Sequence, residues 1–72
     1  MEISYRDHAL LQMRERRIRE EHVRFVLENG EFVGYSQDGI GERWRATLPG
    51  RTITVVVEWL SVDSALIRTV WD

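Results

Sequence analysis

The chain has 72 residues, a net charge of −2, and no cysteine. A chain this short buries only about 60% of the surface it exposes when unfolded, so a lone core is marginal. Disulfides and thiolate metal sites are excluded, and two histidines without ligand spacing make a poor zinc site. No metal or cofactor is therefore expected. The stabilisers left are a core anchored by Trp44, Trp59 and Trp71, or a partner chain. All ten basic residues are arginine, and a guanidinium suits phosphate recognition. No apolar run reaches the roughly 18 residues of a membrane span. No signal-peptide pattern opens the chain, so a cytoplasmic location is expected, and the length allows one domain over residues 1–72.

In chain order, residues 2–5 read as a short strand with Ile3 and Tyr5 on one face. Ser4 and Asp7 have capping-box spacing, which predicts a helix over about 7–16. On a helical wheel His8, Gln12, Glu15 and Arg16 form a polar stripe. Ala9, Leu10 and Met13 lie opposite, with Leu11 and Ile18 widening the apolar arc. Arg17-Ile18-Arg19 predicts a bend. Val23, Val26 and Leu27 mark the buried face of a second helix. Glu20 and Glu21 favour its N-terminus, and Asn29-Gly30 closes it with Gly30 in the left-handed conformation.

After Gly30 the period changes from 3.6 to 2. Strands are predicted over 32–37, 43–48, 52–60 and 65–71, with turns at 38–41, at Pro49-Gly50 and at 61–64. The expected fold is α+β: a short N-terminal strand, two helices, then an antiparallel sheet of three to four strands with the helices on one face. Matching apolar positions across Pro49-Gly50 sets Thr47 opposite Thr52, Ala46 opposite Ile53 and Trp44 opposite Val55. Ile53, Val55, Val57 and Trp59 then face the helices, while Thr54, Val56 and Glu58 face away. An odd loop in the last hairpin places Glu58 opposite Arg68 and Trp59 opposite Ile67.

The outward face then carries Arg43, Arg45, Glu58 and Arg68. Arg43, Arg45 and Arg68 are candidate phosphate-binding groups able to hold a phosphodiester and stabilise its developing charge. Glu58 is a candidate proton acceptor for a ribose 2′-hydroxyl. His8, near a helix N-terminus, is a second candidate acid or base. Tyr35 and Trp71 are candidate base-stacking residues at the margin. The plainer alternative is a cross-strand ion pair and solvated arginines. His22, beside two glutamates, reads as a surface residue.

The run from His8 to Ile18 resembles the helix that opens a bacterial domain-of-unknown-function family, H-A-x-x-R-M-x-x-R-G-I. His8, Ala9, Met13, Arg16 and Ile18 match, and Glu28-Asn29-Gly30 closes the second helix as that family does. Gln12 stands where Arg is usual, and Arg17 where Gly is usual. The element order also resembles RelE/ParE-like toxins, in which helices cover one sheet face and the ribonucleases use the other. That resemblance implies a toxin-type endoribonuclease, with RNA as substrate and an antitoxin as protein partner. The leading expectation is instead a non-catalytic interaction module, a homodimer or a binder of a small protein. Its apolar patch is expected from Val56, Leu66, Val70 and the tryptophans.

Overall fold

A computed structural model describes residues 1–72. The elements are β1 (Glu2–Tyr5), α1 (Asp7–Arg16), α2 (Glu20–Asn29), β2 (Glu31–Tyr35), β3 (Glu42–Leu48), β4 (Arg51–Ser61) and β5 (Ser64–Trp71). Strands β2 to β5 form an antiparallel meander, and β1 adds in parallel to the free edge of β5, giving the order β1-β5-β4-β3-β2. The sheet is thus mixed and five-stranded, not an antiparallel sheet of three to four. The opening strand joins because Ile3 and Tyr5 pack against the core when they pair with Ala65 and Ile67.

The longest β-branched run, Thr52 to Val57, lies on the central strand, and its residues Ile53 to Val57 are all buried. Ile53, Val55 and Val57 meet the helices together with Ala65, Ile67 and Val70. The helices contribute Ala9, Met13, Val23 and Val26, and Ile18 fills in from the bend. Each fully buried valine or isoleucine contributes about 1.5–3 kcal/mol of transfer free energy. The core is aliphatic. None of the three tryptophans is buried, so they do not anchor it as expected. Val70 is fully enclosed and Val56 nearly so, which removes both from the expected surface patch.

The helices deviate from the wheel in instructive ways. Arg6, not Ser4 or Asp7, is the N-cap of α1, and no side chain caps it. The Ser4 hydroxyl instead donates to Ala65 O at 3.3 Å. Leu10 and Leu11 are about half exposed, whereas Gln12 turns inward and its Oε1 accepts the Val70 N–H at 3.0 Å. Strand β1 ends at Tyr5, so the edge of β5 beyond Ile67 has no strand to pair with, and a side-chain amide substitutes.

Arg17 adopts the left-handed conformation (φ 55°) and ends α1 where a glycine would do so without strain. Arg51 supports it: its guanidinium donates to Arg16 O at 2.7 Å and Arg17 O at 3.0 Å, and it pairs with Asp72. A cation at a helix C-terminus also opposes the helix dipole favourably. His22 has a structural role, since its Nδ1 accepts the Arg19 N–H at the start of α2 at 3.0 Å. Gly30 is extended (φ −79°, ψ −179°), not left-handed. Glycine is needed there for space, because a Cβ would sit 2.4 Å from Val26 O and 2.7 Å from Arg45 O.

The Pro49-Gly50 hairpin has the expected register, with Thr47 opposite Thr52, Ala46 opposite Ile53 and Trp44 opposite Val55. The last hairpin does not. Ser61 pairs with Ser64 across a two-residue turn, and shifts at Leu60 and Arg68 set Glu58 opposite Leu66 and Trp59 opposite Ala65. The bulge at Arg68 lets Arg68 and Thr69 share the outward face, so strict alternation, which places Arg68 correctly, misplaces Thr69 and Val70.

Candidate functional site

The helices cover one side of the sheet, with α1 on β5 and α2 on β3 and β4. On the other side Arg43, Arg45, Glu58, Arg68 and Trp71 do share a face, since their register partners are Val56, Thr54, Leu66, the bulge beside Thr69, and Thr54 respectively. Their charges are largely spoken for. Arg68 holds Asp38 through two hydrogen bonds, at 2.7 and 3.3 Å. Arg45 lies 3.4 Å from Glu31, and Glu58 lies 3.8 Å from Arg6, not beside Arg68. Arg43 is the arginine of this set without a carboxylate within 4 Å.

The loop between β2 and β3 explains the Asp38 pairing. Asp38 accepts from the Ser36 hydroxyl at 2.5 Å and from Ile40 N–H at 3.0 Å, while Ser36 Oγ accepts Gly41 N–H at 2.9 Å. The Arg68 guanidinium, then Ser36 and Ile40, hold the Asp38 carboxyl well below the usual carboxylate range. The same pairing raises the affinity of Arg68 for its proton. The loop lies over the outer face, close enough that a Cβ on Gly41 would meet Val56 at 2.9 Å and Arg68 at 3.0 Å. It thereby buries Val56.

The outer face is not concave around Glu58. The largest groove, ≈ 590 Å³, is lined by Ile3, Tyr5, Arg19, Glu20, Glu21 and Arg24, and a second by α2 and β3 residues including Arg45. Glu58, Arg43 and Arg68 line neither, nor the apolar dip at Trp59 to Val62. In the largest groove, burial first and then the Glu20 charge push the Tyr5 phenol up to about 12. His8 is exposed in the helical layer, whereas Glu58 projects from the opposite side of the sheet. No three His, Asp or Glu side chains gather as a metal site.

Tyr35 lies apart from the arginines. It pairs with Glu42, whose β4 neighbour is the core residue Val57, so it belongs to the helix side of the sheet. There it joins a feature that strand alternation alone did not reveal. Glu42 Oε1 accepts both the Trp44 indole N–H at 2.9 Å and the Trp59 indole N–H at 3.0 Å. Phe32 lies edge-on to Trp44 (centroids 5.9 Å) and to Tyr35 (5.1 Å). Leu60 and Val62 continue the surface beyond Trp59. Val62 is 93% exposed, Tyr35 60% and Phe32 42%. A signal for this cluster existed: Glu42 and Trp44 are two apart on one strand face, and Trp59 sits diagonally across from Glu42.

These elements define a small α+β domain with a helix-covered mixed sheet, an arginine-bearing outer face and an aromatic end. The chain belongs to the family described as domain of unknown function (DUF4258), which matches residues 5–72. No curated protein and no solved structure matches it. None of its helices is long and apolar enough to cross a membrane.

Proposed function

We propose that the chain is a non-catalytic interaction module that docks a protein, either a second copy or a different chain, through its aromatic end. The observation that carries this reading is the continuous surface of Tyr35, Phe32, Trp44, Trp59, Leu60 and Val62, organised around Glu42. Scattered exposed apolar residues need no explanation, but a connected aromatic patch does. Tyrosine and tryptophan are, with arginine, the residue types enriched among the hot spots of protein interfaces. Two experiments together test the reading: sedimentation of the chain alone to millimolar concentration, and selection of peptides from a random library. Self-association or peptide recognition that is lost in Phe32→Ser/Trp59→Ser, with the fold retained, supports it. A strict monomer that selects no peptide dependent on these residues contradicts it.

A second reading is a RelE-like, toxin-type endoribonuclease, in the cytoplasm and under control of a small antitoxin. Its support is that Arg43 has no carboxylate partner and shares a face with Arg45, Glu58, Arg68 and Trp71. In that reading the arginines hold the phosphodiester, Glu58 moves the proton and Trp71 stacks a base, while His8 and Tyr35, on the helix side of the sheet, take no part. Against it, two of the face's three arginines already meet carboxylates, Glu58 meets Arg6, and phosphate binding needs a net positive footprint. Cleavage of RNA by the purified chain, lost in both Glu58→Gln and Arg43→Ala, would establish this reading over the first.

A further inference from the structure

Glu42 stands out among the carboxylates of the chain. It is half-buried, and one of its oxygens, Oε1, takes both indole N–H groups. None of the chain's ion pairs includes it. Those pairs involve Glu21, Glu31, Asp38, Glu58 and Asp72. Its second oxygen, Oε2, is left for an outside donor. Both indoles donate to one atom, so their N–H edges converge on the carboxylate and the two rings are held in place.

We infer that Glu42, with Trp44 and Trp59, receives a cationic side chain of the docked protein. The inference rests on the docking reading above and names the chemistry of the partner, a basic segment presenting arginine or lysine. Three physical points carry it. A partner that covers the aromatic end with apolar groups alone strands an unpaired carboxylate away from water, which is unfavourable, whereas a cation compensates it. The indoles anchored at that carboxylate also offer their π-faces to the same cation, whose guanidinium form stacks on aromatic rings well. Because both rings are already fixed by hydrogen bonds to Glu42, little side-chain freedom is lost when the cation arrives. A chain of net charge −2 also attracts a basic partner in general terms.

The test uses the whole chain and three small probes: N-acetyl-arginine amide, N-acetyl-lysine amide and the neutral N-acetyl-citrulline amide. The three indole N–H resonances report the outcome, with Trp71 on the opposite face as the internal control. The arginine and lysine derivatives are expected to move the Trp44 and Trp59 signals with millimolar affinity and leave Trp71 in place. Citrulline, which has nearly the shape of arginine without its charge, is expected to bind at least about fivefold more weakly. Glu42→Gln keeps an acceptor oxygen for both indoles, so the fold is retained while cation affinity falls by a similar factor. Equal binding of citrulline and arginine, or undiminished binding by Glu42→Gln, overturns the inference. So does self-association through these residues that is undiminished in Glu42→Gln, because the second copy then docks without a cation on Glu42. Selected peptides that dock at this end without any basic residue sink the cation assignment and leave the docking reading intact. Absence of docking at this surface by any ligand sinks both.

Discussion

The side-chain oxygen of Gln12 lies 3.0 Å from the backbone nitrogen of Val70 and accepts its hydrogen. The contact joins the middle of α1 to the last strand where β1 has already ended. It satisfies a backbone donor on the edge of β5 beyond Ile67, the last residue that β1 pairs with. Gln12→Leu is expected to destabilise the fold by about 1–2 kcal/mol, the cost of leaving such a donor unpaired. Gln12→Arg, which offers no acceptor, should do the same, and Gln12→Glu should retain most of the stability. Urea unfolding of the three variants, with exchange of the Val70 amide followed by NMR, measures this directly.

The Asp38–Arg68 pair controls the loop over Val56. The folded-state Asp38 carboxyl is held below its ordinary value of 3.8 by Arg68, Ser36 and Ile40. A depressed acid of this kind contributes stability that is fully present above the ordinary value and disappears as pH falls toward the lowered one. The Ile40 and Gly41 amides should therefore remain protected from neutral pH down to the ordinary carboxylate value, losing protection only in stronger acid. In Asp38→Asn that protection should already be reduced at neutral pH. Hydrogen exchange across a pH series distinguishes the two.

Tyr5 titrates on the opposite side of neutrality. Its phenol is pushed up to about 12 from 10.0, chiefly by burial and secondarily by the Glu20 charge. The folded state thus holds this proton more tightly than the unfolded chain. The corresponding stability is fully present below pH 10.0 and is lost as pH rises toward about 12. Alkaline absorbance titration should show a late phenolate transition that Tyr5→Phe removes. The variant should also lose less stability over the same alkaline interval.

Gly30 has no room for a methyl group, because two backbone carbonyls approach its Cβ position to 2.4 and 2.7 Å. Backbone cannot swing aside as a side chain can, so Gly30→Ala is expected to cost about 1–3 kcal/mol through shifts between α2 and β3. Thermal unfolding should show a clear fall in Tm. Gly39→Ala meets no such carbonyl, so any loss there reflects its left-handed backbone (φ 76°) instead of a steric clash.

Arg51 holds the end of α1 through Arg16 O and Arg17 O while also meeting Asp72. Arg51→Lys retains the charge but lacks the fork that spans both carbonyls. It should lose about 1 kcal/mol, close to the loss in Arg51→Ala, if geometry rather than charge carries the contact. Chemical unfolding of both variants gives the comparison.

Much of this architecture is legible in the residue pattern. Val23 and Val26 at helical spacing, and Ile53, Val55 and Val57 at strand spacing, mark the two sides of one core. The Pro49-Gly50 hairpin has its register because any one-residue slip would turn its apolar positions outward. The final hairpin resisted because two bulges, at Leu60 and Arg68, break the alternation on which such matching depends. Its second strand is also apolar on both faces. Gln12 turned inward against its polarity because a backbone edge elsewhere needed an acceptor. The candidate site shows the same limit. Pattern places Arg43, Arg45, Glu58 and Arg68 on one face, but Asp38 comes from a loop and Arg6 from beyond a strand end. No periodicity reports those neighbours. The Glu42 cluster combines a neighbour two residues away with a diagonal across strands, and only the full register brings Trp59 to it.

In the proposed function the aromatic end, not the arginine face, is the surface on which this chain works. The three tryptophans divide between those surfaces, with Trp44 and Trp59 at Glu42 and Trp71 opposite Thr54 on the outer face. A two-dimensional NMR spectrum of the three indole N–H groups, recorded with selected peptides and then with mixed-sequence RNA, reads both at once. Peptide is expected to move Trp44 and Trp59, and RNA to leave all three unchanged. Movement of Trp71 by RNA, with Trp44 and Trp59 indifferent to every peptide, would contradict the proposed function.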